Sequence, residues 1–333
     1  MFNKTPAFKI VGSASKDEEK EAEEKLYGFF SGKHLNDIRS EILVEIEKLE
    51  YGKTGEELGA IEFANQMTND LITTCGMVPY DFPSENIHIF PASFYRKTTG
   101  SGGAGRADHV RQAIVLNADK VRDKGNLRFA NIVFHEMLHI KSFASFKIQT
   151  VGEGRVVALY QRGFEIEVER RSYDEDEIYP RSEGLFGGLN EALITYCERY
   201  FISKVLESGL FKEEREWLGS KEAQELKGEI SRRENIPEED IYTVNKNGMY
   251  DMYSYLAHEA VLERVVDKIY RDNLREFNSR DEVIAEFLKA VFSGYTQKIA
   301  TLVNGSFGFG SFKVLGTMKE DKKSATDMLG YFK

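Results

Sequence analysis

His135 and His139 bracket Glu136 in the stretch "FHEMLHI", Phe134 to Ile140. Residues four apart share one face of a helix, so both imidazoles can address a single ion. Glu136 is offset from His135 by about 100° around the helix. It can therefore reach a water on that ion without ligating the ion itself. The surrounding residues Phe129, Val133, Phe134, Met137 and Leu138 are apolar enough to anchor such a helix in a core. Two histidines alone make an incomplete site. A catalytic metal takes three protein ligands and keeps one position open, so the rest of the chain must supply a third.

A pattern with Gly and a third His just downstream fails, because Ser142 and Ser145 occupy those positions. A di-iron bundle needs two Glu-x-x-His motifs. Glu136-x-x-His139 is one, but Tyr255 stands where His258 would need its glutamate. A glutamate on another helix remains, and "GGLNEALITYCERYF", Gly187 to Phe201, offers Glu191. Taken alone, Glu191 reads as a carboxylate favoured by the positive end of a helix dipole. Beside HEMLH it reads as a ligand.

HExxH followed by a helical Asn-Glu-Ala resembles the gluzincin zinc metallopeptidases, the group that includes the thermolysin-like enzymes. The likeness is confined to these two motif segments. It implies one zinc ion held by His135, His139 and Glu191, with Glu136 as general base. It also draws attention to Thr195, four residues after Glu191, where thermolysin-like enzymes carry an Asp that orients a ligand histidine. In many gluzincins a Tyr or His on a later helix stabilises the oxyanion. In "MYDMYSYLAHEA", Met249 to Ala260, Tyr250 and Tyr253 share an expected helical face and are the favoured donors, with Tyr255 and His258 in reserve. Each reads otherwise as an aromatic packing one helix on another. The implied activity is hydrolysis of peptide bonds in a peptide or protein substrate by a metal-activated water. The alternative is a zinc-binding regulatory or peptide-binding module without turnover, against which an intact Glu136 argues.

The elements that must position these residues suggest an α+β fold, zincin-like by the same resemblance. A small mixed sheet and the HEMLH helix would precede a mostly helical C-terminal lobe, with the cleft between them. Residues 1–33 read as a charged, flexible leader around "KDEEKEAEEK", residues 34–180 as the lobe with the sheet, and residues 181–333 as the helical lobe. Ile38, Ile42, Ile46 and Leu49 fall on one helical face. A second helix runs from about Gly55 to Cys75 and stops at Gly76. "IHIFP" and "QAIVLN" read as strands and "RVVALYQRGFEIEV" as a hairpin. Lying just ahead of HEMLH, "QAIVLN" is expected at the sheet edge, where an extended substrate could add as a strand. Later helices are expected over roughly 189–206 and 250–270, and from the Ser279–Glu282 capping pair onward.

"GSGGAGR", Gly100 to Arg106, contains GxGxxG but leads towards a strand rather than a helix, so it reads as a mobile loop on the rim of the cleft. The net charge of −10 gives little electrostatic support for nucleic-acid binding. No apolar run approaches the roughly 20 residues of a membrane span, and the N-terminal stretch lacks the pattern of a secretory signal. A cytoplasmic location follows as the expectation, with Cys75 and Cys197 as free thiols. His34, His88 and His109 have no partner spacing and read as ordinary surface or core histidines.

Overall fold

The computed structural model describes residues 8–11, 15–17, 20, 48–99, 102–109, 112–151, 154–172, 178–179 and 184–332. Its architecture is α+β. Helix α1 (Gly55–Thr74) begins in a full capping box. Thr54 accepts from the Glu57 amide, and the Glu57 carboxylate accepts from the Thr54 amide. Cys75 is its C-cap, and Gly76 follows at φ 77°, a left-handed conformation that glycine adopts without steric cost. The expected face of Ile38, Ile42 and Ile46 lies outside the described residues.

Strands β2 (Ile87–Phe90), β3 (Gly105–Asp108) and β4 (Ala113–Asn117) form a sheet in the order β2-β4-β3. Helix α2 (Ala92–Thr99) lies between β2 and β3 in sequence. β4 is parallel to β2 and antiparallel to β3. The "QAIVLN" strand is therefore central, not at the edge. The near-continuous apolar run Ala113 to Leu116 suits a strand paired on both sides. The edges are β2 and β3, and β3 is drawn from the glycine stretch that reads as a loop. Its Gly-Arg-Ala-Asp sequence carries no β-branched residue and so gives no strand signal.

Helix α3 (Asn126–Lys141) carries HEMLH and leads directly into β5 (Ala144–Val151). β5, β6 (Gly154–Arg162), β7 (Glu165–Ser172) and β8 (Ile178–Tyr179) run antiparallel, including the expected β6–β7 hairpin. β1 (Phe8–Val11) joins this sheet, parallel to β5. That part of the leader is thus not a solvated tail: Phe8 pairs with Ala144 and Val11 with Lys147. Lys16, Asp17 and Lys20 are helical and exposed, and most of the charged run lies outside the described residues.

Helix α4 (Gly187–Ser208) follows, then α5 (Lys212–Leu218), α6 (Lys221–Glu234) and a small hairpin of β9 (Ile241–Val244) and β10 (Tyr250–Met252). Helices α7 (Leu256–Asp272), α8 (Arg280–Ser293), α9 (Gln297–Phe307), α10 (Ser311–Gly316) and α11 (Lys322–Tyr331) complete the chain. The helix expected from Tyr250 starts only at Leu256, because Tyr250 to Met252 pair with β9. Ser279 does cap α8, although Glu282 reaches back to the Asn278 amide rather than to Ser279.

One apolar core runs through the molecule, from Ala60 and Ile61 through Phe134 and Phe201 to Met328 and Phe332. The boundary near residue 180 marks a change in secondary structure, and the core crosses it. Phe134 of α3 stacks on Phe201 of α4, centroids 4.1 Å apart and planes 8° apart. Truncating such a fully buried ring costs about 3–5 kcal/mol, so this pair sets how the two motif helices face each other. Cys75 and Cys197 are buried free thiols. No helix among the described residues is long and apolar enough to cross a membrane.

Candidate metal centre

Two polar stripes face each other between α3 and α4. On α3, Asn131, His135 and His139 succeed one another at intervals of four. On α4, Glu191 and Glu198 lie seven apart, two turns along the same face. All five side chains are largely buried, with His135 the most exposed.

His135, His139 and Glu191 each offer one ligand atom, and these atoms lie within 4.8 Å of one another. The two histidine Nε2 atoms are 3.1 Å apart. His139 Nε2 is 3.2 Å from Glu191 Oε1, and His135 Nε2 is 3.4 Å from Oε2. Glu191 Oε2 is buried and has no hydrogen-bond partner among the described residues. Leaving a buried carboxylate oxygen unsatisfied is expensive. Two imidazole lone pairs and a carboxylate pointed at one place form a donor set that a divalent metal ion satisfies.

Glu198 stands behind His135. Its Oε1 lies 3.1 Å from His135 Nδ1 and accepts from Asn131 Nδ2 at 3.0 Å. A carboxylate on Nδ1 fixes the tautomer and turns the Nε2 lone pair towards the cluster. Burial opposes charge on His135, but Glu191 and Glu198 together hold its pKa well above the ordinary imidazole value. Burial likewise opposes charge on Glu191, yet His139 and His135 hold its carboxyl well below its usual range. Thr195, the expected orienting hydroxyl, is fully buried and its Oγ1 has no partner among the described residues. Asn131 and Glu198 were missed, although helical spacing from His135 and Glu191 points to both.

His139 is steadied from two sides. The Asn190 amide lies 3.5 Å from its Nδ1, and His109 Nε2 lies 2.8 Å from its carbonyl oxygen. Burial and the charge of Arg162 pull the His109 pKa down to about 3, so the ring is neutral and Nε2–H is the donor. Arg162, paired with the fully buried Glu165, also places its charge near Glu191. His88 meets Glu50 at 3.1 Å, and His258 Nε2 lies 2.8 Å from the Lys319 carbonyl. His88 and His258 are thus partnered core residues, whereas the buried Nδ1 of His109 has no hydrogen-bond partner among the described residues. His34 lies outside the described residues.

The tyrosine beside the cluster is Tyr255. Its ring stacks on His135 at 6.4 Å and 18°. The charge of Glu191, then burial, raises its phenol pKa far above the usual value, so the hydroxyl stays a donor. Tyr250 and Tyr253 do not share a helical face, because β10 intervenes. Tyr250 packs on the small cluster of Ala223, Ile230, Ile241 and Val244. Tyr253 is buried under the Arg199 guanidinium, 4.5 Å from its ring centroid.

Both helices of the candidate site are held by distant segments. The N-cap of α3 is Gly125 at φ 103°, which offers no side chain. Glu214 of α5 takes that role, with Oε1 accepting from the Asn126 amide at 2.7 Å and Oε2 from the Leu127 amide at 3.1 Å. At the start of α4, a Cβ on Gly188 would come within 2.7 Å of the Lys319 carbonyl oxygen. Only glycine allows that approach, and the Gly188 amide donates to Met318 O at 3.0 Å.

No protein-family model, no curated protein and no solved structure matches this chain.

Proposed function

We propose that this protein is a zinc-dependent peptidase of the gluzincin kind, on a zincin-like scaffold, acting on a peptide or protein substrate. The observation that carries the reading is the convergence of His135 Nε2, His139 Nε2 and the Glu191 carboxylate, with Glu136 adjacent in sequence and largely buried. A tetrahedral zinc ion with bonds of about 2.0–2.1 Å spaces its ligand atoms about 3.3–3.4 Å apart. The separations of 3.1, 3.2 and 3.4 Å support that coordination. Zinc would supply Lewis acidity, polarising a carbonyl and acidifying a water.

The chain's own groups perform the rest. Glu136 accepts the proton of the attacking water and returns it to the leaving amine. Tyr255, kept protonated by the neighbouring carboxylates, donates to the oxygen of the tetrahedral intermediate. Glu198 and Asn131 keep His135 oriented through both steps. The substrate main chain adds along the outer edge of β3 beyond Gly105, whose carbonyl accepts from Tyr95, with β4 paired behind the strand.

Glu136→Gln separates metal binding from chemistry, because Gln is close in size but cannot accept a proton. The variant should retain one zinc per chain by elemental analysis and lose peptide-library hydrolysis by about 10²-fold or more. Full hydrolysis by the zinc-loaded variant would remove Glu136 from the reaction.

A further inference from the structure

Gly105 opens β3 opposite Leu116 of β4. The Asn117 amide donates to Ala104 O at 2.8 Å, so alternate residues from Ala104 onward face β4. Gly105 and Ala107 accordingly turn their backbone groups to the outer edge. The Tyr95 hydroxyl confirms this by donating to Gly105 O at 2.8 Å. Gly105 is not among the residues with positive φ, so backbone strain does not account for glycine here. Space does. A Cβ at this position would lie 2.8 Å from both Cγ and Oε1 of Glu136, and 2.9 Å from Ile132 Cγ2.

Real Cβ atoms essentially never approach other atoms so closely. The Glu136 carboxylate could swing aside, but its Cγ is held near the helix, and the Ile132 methyl is branched at Cβ and stiff at χ1. Any side chain at 105 must therefore separate β3 from α3 or displace Glu136. The two histidines of the candidate site face α4 instead, through the stripe opposite Glu191 and Glu198. A change at Gly105 should thus reach the base and spare the metal.

We infer that Gly105 is a positioning residue for Glu136: the missing side chain lets β3 lie against α3 and holds the carboxylate over the strand edge. The catalytic part of this statement rests on the peptidase reading above. Gly105→Ala should keep one zinc per chain and a KM within about threefold, while kcat falls about 10- to 100-fold as the base is displaced. An unfolded fraction would also lower apparent kcat, but it would lose its zinc, so one zinc per chain beside a lowered kcat separates a displaced base from lost structure. The contact itself is read by stability. Gly105→Ala should lower Tm by about 3–8 °C, and by less than half as much in a Glu136→Ala background, where Cγ and Oε1 are gone.

If Gly105→Ala does not fold, Gly105→Ala/Glu136→Ala should recover a folded protein. Failure of the double variant as well would overturn the inference. So would an unchanged kcat, or a Tm loss that is the same with and without the Glu136 side chain. If the wild type cleaves no peptide, the peptidase reading falls, and the Tm cycle still decides whether Gly105 sets the place of Glu136.

Discussion

Two of the basic side chains of helix α3, His135 and Lys141, lie six residues apart and meet opposite surroundings. His135 lies against two carboxylates, Glu191 and Glu198, which hold its pKa well above the ordinary value despite burial. Lys141 lies against neutral acceptors, with Nζ 2.9 Å from both Thr68 Oγ1 and Asn69 Oδ1, and burial pushes its pKa down to about 7. A buried cation without a carboxylate partner tends to discharge. The surplus of negative charge around His135 is therefore a property of the α3–α4 interface and not of the helix. It is the pattern of a place that receives a cation, whereas the Lys141 pocket fastens α3 to α1.

The contrast can be broken most severely at Glu191. Glu191→Ala should abolish stoichiometric metal binding by elemental analysis. A chelator should then leave the variant's Tm unchanged while destabilising the wild type, by about 2.7 kcal/mol if the metal had been present at a hundred times its Kd. One zinc per chain in the variant would show that the carboxylate is not a ligand. Glu198→Gln is a gentler cut. It keeps the shape of the side chain but removes the negative charge behind His135, and metal affinity in a competition titration should fall about 10- to 100-fold. Unaltered affinity would make Glu198 a packing residue.

The smallest effect sharpens the Lys141 side. Its pKa of about 7 in the folded protein lies below the 10.5 of an ordinary lysine. Below about pH 7 both states carry the proton and the lysine adds no pH dependence. Between that point and its unfolded value the unfolded chain binds more protons, so stability should rise with pH, by up to about 1.4 kcal/mol per unit. Urea midpoints at about pH 7 and about pH 9 should diverge in the wild type more than in Lys141→Met. Equal slopes in the two proteins would mean that Lys141 keeps its proton when buried.

The motif helices were legible because their signals are local. HEMLH and the Asn-Glu-Ala segment sit on strongly apolar helices, and α1 and α4 fall within two or three residues of their expected limits. Glu198 was legible in principle, two turns from Glu191, but attention to the position four residues on led to Thr195. Tyr255 was ranked behind Tyr250 and Tyr253 because a three-residue strand is too short to read, and that strand turns the expected helical face into a hairpin. β3 was hidden by composition. β1 was hidden by context, since "FKIV" adjoins a charged run and its partner β5 follows α3, far along the chain. Glu214 illustrates the general limit, because no local pattern announces a carboxylate that caps a helix 88 residues away.

That cap also bears on the order in which the molecule can be assembled. As the chain emerges from its N-terminus, α3 arrives with glycine at its N-cap and no carboxylate to satisfy its first amides. Glu191 follows, and Glu214 only after it. The helix bearing both histidines thus gains its finished N-terminus after His135, His139 and Glu191 have all been synthesised, through a contact of high sequence separation, the kind that forms slowly. A nascent chain halted before Glu214 would hold His135 and His139 on a helix whose N-terminus was still free to fray, with Glu191 already made further along the chain.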